Sequence, residues 1–213
     1  MSNIDTLNMQ HLGQINSHSL FGSYIYKICK NPNIKTVVEI GTWNGFGSTK
    51  CVLDAISDDS SKHLTSIELY PEMYRMAKEN ISKYIKDINQ ITLLNGSIVS
   101  YKDTFWFDHN TIDIQNDGHA KLWYQKDMEF LKKSENVLSK IPEKIDLLIL
   151  DGGEYTSYPE FKFLKDRSNI IALDDIYVHK NKKTHNELYT DNQYICLISS
   201  NERNGFSIFE RKQ

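Results

Sequence analysis

Cysteine, proline and tryptophan are scarce in this 213-residue chain, with three, four and three residues respectively. Cys29, Cys51 and Cys196 are odd in number, far apart and flanked by apolar residues. That excludes a disulfide framework and a CxxC zinc spacing, and leaves buried free thiols in a reducing compartment as the expectation. No apolar run approaches the roughly 20 residues of a bilayer span. The polar stretch 1–18 has no apolar core of a secretion signal. A strong charge of one sign is also lacking: the net charge is −3 and the pI is near 6.2, which gives no general affinity for nucleic acid or anionic membrane. GxSxG, P-loop, HExxH and GxGxxG patterns are absent, as are internal repeats and low-complexity linkers. These absences point to a soluble, cytoplasmic protein with one α/β core and neither nucleic acid nor membrane as a partner.

What is present is a regular alternation. Residues 19–30 carry Leu20, Phe21, Tyr24, Ile25 and Ile28 at helical spacing, and Asn31-Pro32-Asn33 ends that helix. Residues 37–40 read as a short, continuous apolar strand, the pattern of a parallel strand covered on both faces. A helix over 48–56 follows, then a strand over 63–69 and a helix that opens on Pro71, a residue suited to the first helical position. Strands are expected over 91–94, 145–150 and 169–173, with a short helix over 159–164. Residues 194–199 and 206–210 alternate around Asn204-Gly205 and read as a closing antiparallel hairpin. Between the third and fourth strands, residues 101–140 form an insertion: an aromatic stretch with Tyr101, Phe105, Trp106 and Phe107, then a helix over 119–138. The insertion is expected to pack on the core or to wall an acceptor site. Lys180, Lys182 and Lys183 read as a solvated loop.

This order predicts a single-domain α/β fold: a doubly wound, mostly parallel sheet with a C-terminal hairpin. Ligands bind such sheets at the carboxyl ends of the strands. There the chain places Glu39, Glu68, Ser97, Asp151 and the pair Asp174-Asp175. The first of these ends, Glu39-Ile40-Gly41-Thr42-Trp43-Asn44-Gly45-Phe46-Gly47-Ser48, turns on glycines into a helix start. Backbone can approach a ligand closely there, beside the positive end of a helix dipole.

The run 39–49 resembles the cofactor motif of class I S-adenosylmethionine-dependent methyltransferases, in their small-molecule O-methyltransferase branch (methyltransferase family 24-like). Ile67-Glu68, Leu150-Asp151-Gly152-Gly153 and Ala172-Leu173-Asp174-Asp175 resemble the later strand ends of that Rossmann-like fold. The resemblance implies S-adenosylmethionine as cofactor. Glu39, Gly41, Thr42, Trp43 and Gly45 would lie along it, with Ser48 at its methionine carboxylate. Glu68 would hold the ribose hydroxyls, and Gly96, Ser97 and Ile98 would border the adenine. It further implies a small hydroxylated acceptor, such as a sugar or polyol, with Asp151 as a catalytic candidate; His179, which follows Asp175 at a distance that could bring it over the rim, is the first candidate for a general base. Asp151, Asp174 and Asp175 match the positions that hold Mg2+ or Mn2+ in the metal-dependent members; the metal requirement stays open. Glu154, Tyr155 and Tyr158 are further candidates for touching the acceptor, whereas His119 reads as a helix cap. A nicotinamide dehydrogenase, a non-catalytic partner with the cofactor fold, and a homo-oligomer remain open alternatives.

Overall fold

The computed structural model describes residues 15–102 and 118–212, without the side chains of 119 and 120. Its parallel strands are β1 (Thr36–Ile40), β2 (His63–Glu68), β3 (Ile91–Asn95), β4 (Ile145–Leu150) and β5 (Ser168–Asp174). The chain closes with β6 (Tyr194–Ser200) and β7 (Phe206–Arg211), and the sheet order is β3-β2-β1-β4-β5-β7-β6. β7 runs antiparallel to both its neighbours, so the expected hairpin inserts its second strand beside β5. The six helices among the described residues are α1 (Leu20–Lys30), α2 (Ser48–Ile56), α3 (Pro71–Ser82), α4 (Gly118–Lys133), α5 (Ser157–Leu164) and α6 (His179–Thr190).

Alternation along the central strands builds two cores. Val38, Ile40, Leu148, Leu150, Ile171 and Leu173 face Met128 and Leu131 of α4, Phe161 and Leu164 of α5, and Leu188 of α6. Val37, Leu147, Ile149, Ile170 and Ala172 face Phe21, Ile25 and Cys29 of α1, with residues of α2 and α3. Continuous apolar strands follow from this arrangement, because both faces of the sheet are covered. Cys29 and Cys51 are buried free thiols, while Cys196 is only half-buried. No helix among the described residues is long and apolar enough to cross a membrane.

Two expectations are corrected. The segment holding Lys180, Lys182 and Lys183 is helix α6, not a loop; Lys182 and Lys183 are exposed, but the Lys180 side chain is only 12% exposed. Its inward face is Asn181, Thr184 and Leu188, a buried stripe too polar to register as hydrophobic periodicity. The helix expected over 119–138 stops at Lys133, because the chain turns to bridge Asn136 to Ser97, with Val137 N–H donating to Ser97 O. The aromatics Phe105, Trp106 and Phe107 and the side chain of His119 lie outside the described residues.

Candidate functional site

The carboxyl ends of β1, β2, β4 and β5 open into one cleft of about 1310 Å³. Gly41, Thr42, Trp43, Ser48 and Glu68 line one side, and Asp151, Asp174, Asp175, His179 and Lys180 line the other. The two sides meet where β1 and β4 lie side by side. Gly41 stands at φ 100°, and a Cβ there would lie 2.3 Å from the carbonyl oxygen of Asp151. Glycine is therefore required by the closeness of the two strand ends as well as by its left-handed backbone.

Glu68 is held on both oxygens. Oε2 accepts from Trp43 N–H at 2.7 Å and Oε1 from Tyr70 N–H at 2.9 Å. Each oxygen keeps a lone pair for a further donor. Burial raises its pKa to about 7, against the lowering pull of those two amides. The anchor also shapes the turn: Trp43 adopts φ 52°, with its indole 55% exposed beside the cleft.

Glu39 lies beneath the rim rather than on it, fully buried. Its Oε2 accepts from Thr49 Oγ1 at 2.7 Å and Ser66 Oγ at 2.5 Å, while Oε1 has no hydrogen-bond partner among the described residues. Burial raises its pKa to about 6, opposed by the hydroxyls of Ser48, Ser66 and Thr49. The α2 N-terminus has Gly47 as its cap and no side-chain cap bond, so its amides remain available to an anion. Gly45 and Ile98 do not line the cleft, and neither does Ser97, whose backbone is bound to Glu135 and Val137; Gly96 is the residue of that turn that does.

Two residues of the site, Asp127 and Glu160, carried no sequence signal, whereas Glu154, Tyr155 and Tyr158 were expected there. Asp127, from the middle of α4, accepts from the Tyr70 hydroxyl and from Tyr155 N–H. Burial raises its pKa, against the lowering effect of the Tyr70 hydrogen bond. Glu160 of α5 is buried with Oε2 unpartnered among the described residues, and burial raises its pKa to about 8. Tyr155 packs its ring 4.8 Å from the His179 ring, while the Tyr158 hydroxyl donates to Glu187 at 2.8 Å. Glu154 Oε1 accepts from Lys180 N–H at 3.1 Å.

Oxygens of Asp151, Asp174 and Asp175 lie within 4.8 Å of one another, close enough for a hard cation to bridge. That position is contested by protein charge. Lys180 Nζ sits 2.9 Å from Asp151 Oδ1 and 2.6 Å from Asp175 Oδ2. Arg203, at the β6–β7 turn, reaches Asp174 Oδ2 at 3.3 Å and Asp175 Oδ1 at 3.7 Å. A divalent ion between Asp151 and Asp175 would face an ammonium at contact distance, so this arrangement does not fit a resident Mg2+ or Mn2+. The titrations reflect the pairing. Burial would raise Asp175, but Lys180 outweighs it and holds the carboxyl below its ordinary value. Asp174 is pushed up to about 7 by burial and by the charges of Asp151 and Asp175.

The fold is that of class I S-adenosylmethionine-dependent methyltransferases. A Staphylococcus aureus protein provisionally assigned as a caffeoyl-CoA O-methyltransferase superposes with a TM-score of 0.63 at 17% identity, over 100% of this chain and 93% of its own. A Podospora anserina methyltransferase bound to S-adenosylhomocysteine gives 0.59 at 15% identity, over 90% and 78%. The magnesium protoporphyrin IX methyltransferase of Synechocystis with bound S-adenosylmethionine gives 0.53 at 11% identity, over 90% and 78%. No family model matches the sequence, and no curated protein matches it significantly.

Proposed function

We propose that this chain is an S-adenosylmethionine-dependent methyltransferase that methylates an oxygen of a small hydroxylated acceptor such as a sugar or polyol. The observation that carries the reading is Glu68, a buried carboxylate at the end of β2 with each oxygen anchored by one backbone amide and free to accept once more. A ribose diol supplies two adjacent donors of the matching kind. The start of α2, where Gly47 and Ser48 line the cleft and no side chain caps the helix, suits the carboxylate of an amino-acid group.

S-adenosylmethionine brings a methyl group already activated on a positive sulfur, so the acceptor's electron pair displaces it in line and the broken bond's pair stays on sulfur. The protein's part is alignment and removal of one proton. Asp151 and His179 both line the cleft, and His179 is the group assigned to take the acceptor's hydroxyl proton. The Tyr155 ring beside it limits the orientations of the imidazole. A cleft of about 1310 Å³ has room for the cofactor and a second small molecule together.

The test is incubation with methyl-labelled S-adenosylmethionine and a panel of free sugars, nucleotide sugars, polyols and catechols, read by mass spectrometry. Label on an oxygen of one acceptor, with S-adenosylhomocysteine formed in equal amount, is the expected result. Label on nitrogen or carbon would overturn the O-methylation reading, and hydride transfer with NAD would overturn the whole.

A further inference from the structure

Lys180 stands where a lysine is ill placed by local rules. It is the second residue of α6, at the positive end of that helix's dipole, and its side chain is only 12% exposed. A buried cation there must be held by acids, and two hold it: Asp151 Oδ1 at 2.9 Å and Asp175 Oδ2 at 2.6 Å. Burial alone would lower its pKa, but those carboxylates overcome it and keep the ammonium protonated.

Asp175 adopts a left-handed backbone at φ 57° and receives a further hydrogen bond from Asn204 Nδ2 at 3.1 Å. Such a conformation is uncommon in a non-glycine residue. It persists here where it delivers a carboxylate to Lys180.

The charges repeat a familiar sum. Three carboxylates face the two fixed cations Lys180 and Arg203, the same formal balance that three carboxylates and one divalent ion would reach. An ammonium has three N–H donors. Two are engaged by Asp151 and Asp175, and the third has no partner among the described residues, on a side chain that lines the cleft.

We propose that the Lys180 ammonium takes the place of a divalent metal ion in this site, binding the acceptor oxygen that receives the methyl group so that transfer proceeds without metal. The role rests on the methyltransferase reading. The acceptor O–H bond breaks with its proton going to His179, and the electron pair left on oxygen forms the new bond to the methyl carbon. The carbon–sulfur bond breaks with its pair remaining on sulfur. Lys180 holds the oxygen through a charge-assisted hydrogen bond while negative charge gathers on it. Asp151 and Asp175 act as positioning residues for the ammonium.

The experiment uses Mn2+ as its probe. In electron paramagnetic resonance, wild-type protein should leave the spectrum of aqueous Mn2+ unchanged, and its methyl transfer should persist in excess chelator. Lys180→Ala removes the competing cation; it should take up Mn2+ and quench the signal. It should also lose about 100-fold in kcat, the scale of one lost oxyanion donor, while binding S-adenosylhomocysteine as the wild type does. Metal uptake by wild-type protein that binds S-adenosylhomocysteine overturns the proposal alone, as does activity abolished by chelator and restored by Mg2+. Wild-type protein that binds no S-adenosylhomocysteine overturns the methyltransferase reading itself. The wild-type arms decide the matter even where the alanine variant does not fold.

Discussion

Glu68→Gln is the substitution with the most to say about the cofactor side of the cleft. The native carboxylate is 4% exposed and accepts one backbone amide on each oxygen, at 2.7 and 2.9 Å. Glutamine keeps the shape but turns one terminus into a donor that faces an amide donor. The variant therefore loses the charge and one acceptor position for the ribose. One hydrogen bond to a charged group contributes roughly 1.5–3 kcal/mol, so the dissociation constant for S-adenosylhomocysteine should rise about 10- to 150-fold. A second signature comes from protonation. With a folded pKa of about 7, the binding-competent carboxylate is the minor form at pH 6 and the major form at pH 8. Wild-type affinity should then tighten by about tenfold across that interval, and the variant should lose most of the slope. Isothermal titration calorimetry of both proteins at the two pH values measures both effects. An affinity within twofold of wild type, with the same pH slope, would refute the ribose assignment.

Three further outcomes follow from named contacts. Gly41→Ala should cost more than about 2 kcal/mol in denaturant unfolding, because its Cβ would meet the Asp151 carbonyl at 2.3 Å on a backbone at φ 100°; an unchanged midpoint would contradict the close approach of β1 and β4. Glu160 has its folded pKa raised from 4.5 to about 8 by burial, so its stabilising contribution is full below about pH 4.5 and is lost as pH rises through 8. Glu160→Gln cannot titrate, and its unfolding free energy should fall less steeply than wild type between those values; parallel curves would count against a buried, neutral Glu160. Lys62, 4% exposed, donates from Nζ to Cys29 O at 2.6 Å and Asn31 O at 2.7 Å at the end of α1. Lys62→Met should cost about 1–3 kcal/mol by leaving the buried Cys29 carbonyl unmet, read as a lowered unfolding midpoint; an unchanged midpoint would contradict the cap.

The sheet was readable wherever burial was two-sided. Val37–Ile40 and Ile145–Leu150 are apolar because helices cover both faces, and each ends where a ligand cleft begins, in Gly41 and Asp151. The closing hairpin was readable from Asn204-Gly205, with Gly205 at φ 79° in the turn. Helix α6 was not, because its buried stripe is Asn181, Thr184 and Leu188, and buried amide and hydroxyl groups do not look apolar. Asn181 Nδ2, for instance, donates to Leu150 O at 2.9 Å and Asp174 O at 2.7 Å, tying α6 to the ends of β4 and β5. Missing that helix concealed Lys180, since a lysine in a basic run announces solvent until its two carboxylates are seen. Asp127 stayed hidden for a related reason: its partners, the Tyr70 hydroxyl and Tyr155 N–H, are distant in sequence and assembled only by the sheet. Depth was equally illegible, for Glu39 and Glu68 both end strands, yet only Glu68 reaches the cleft.

The most direct measurement is calorimetric titration of the wild-type protein with S-adenosylmethionine, S-adenosylhomocysteine and NAD, each with and without Mg2+. Saturable binding of both sulfur nucleosides, indifferent to Mg2+, with no binding of NAD, is the expected result. Binding of NAD with neither sulfur nucleoside would contradict the assignment of Glu68 and of the cleft it anchors.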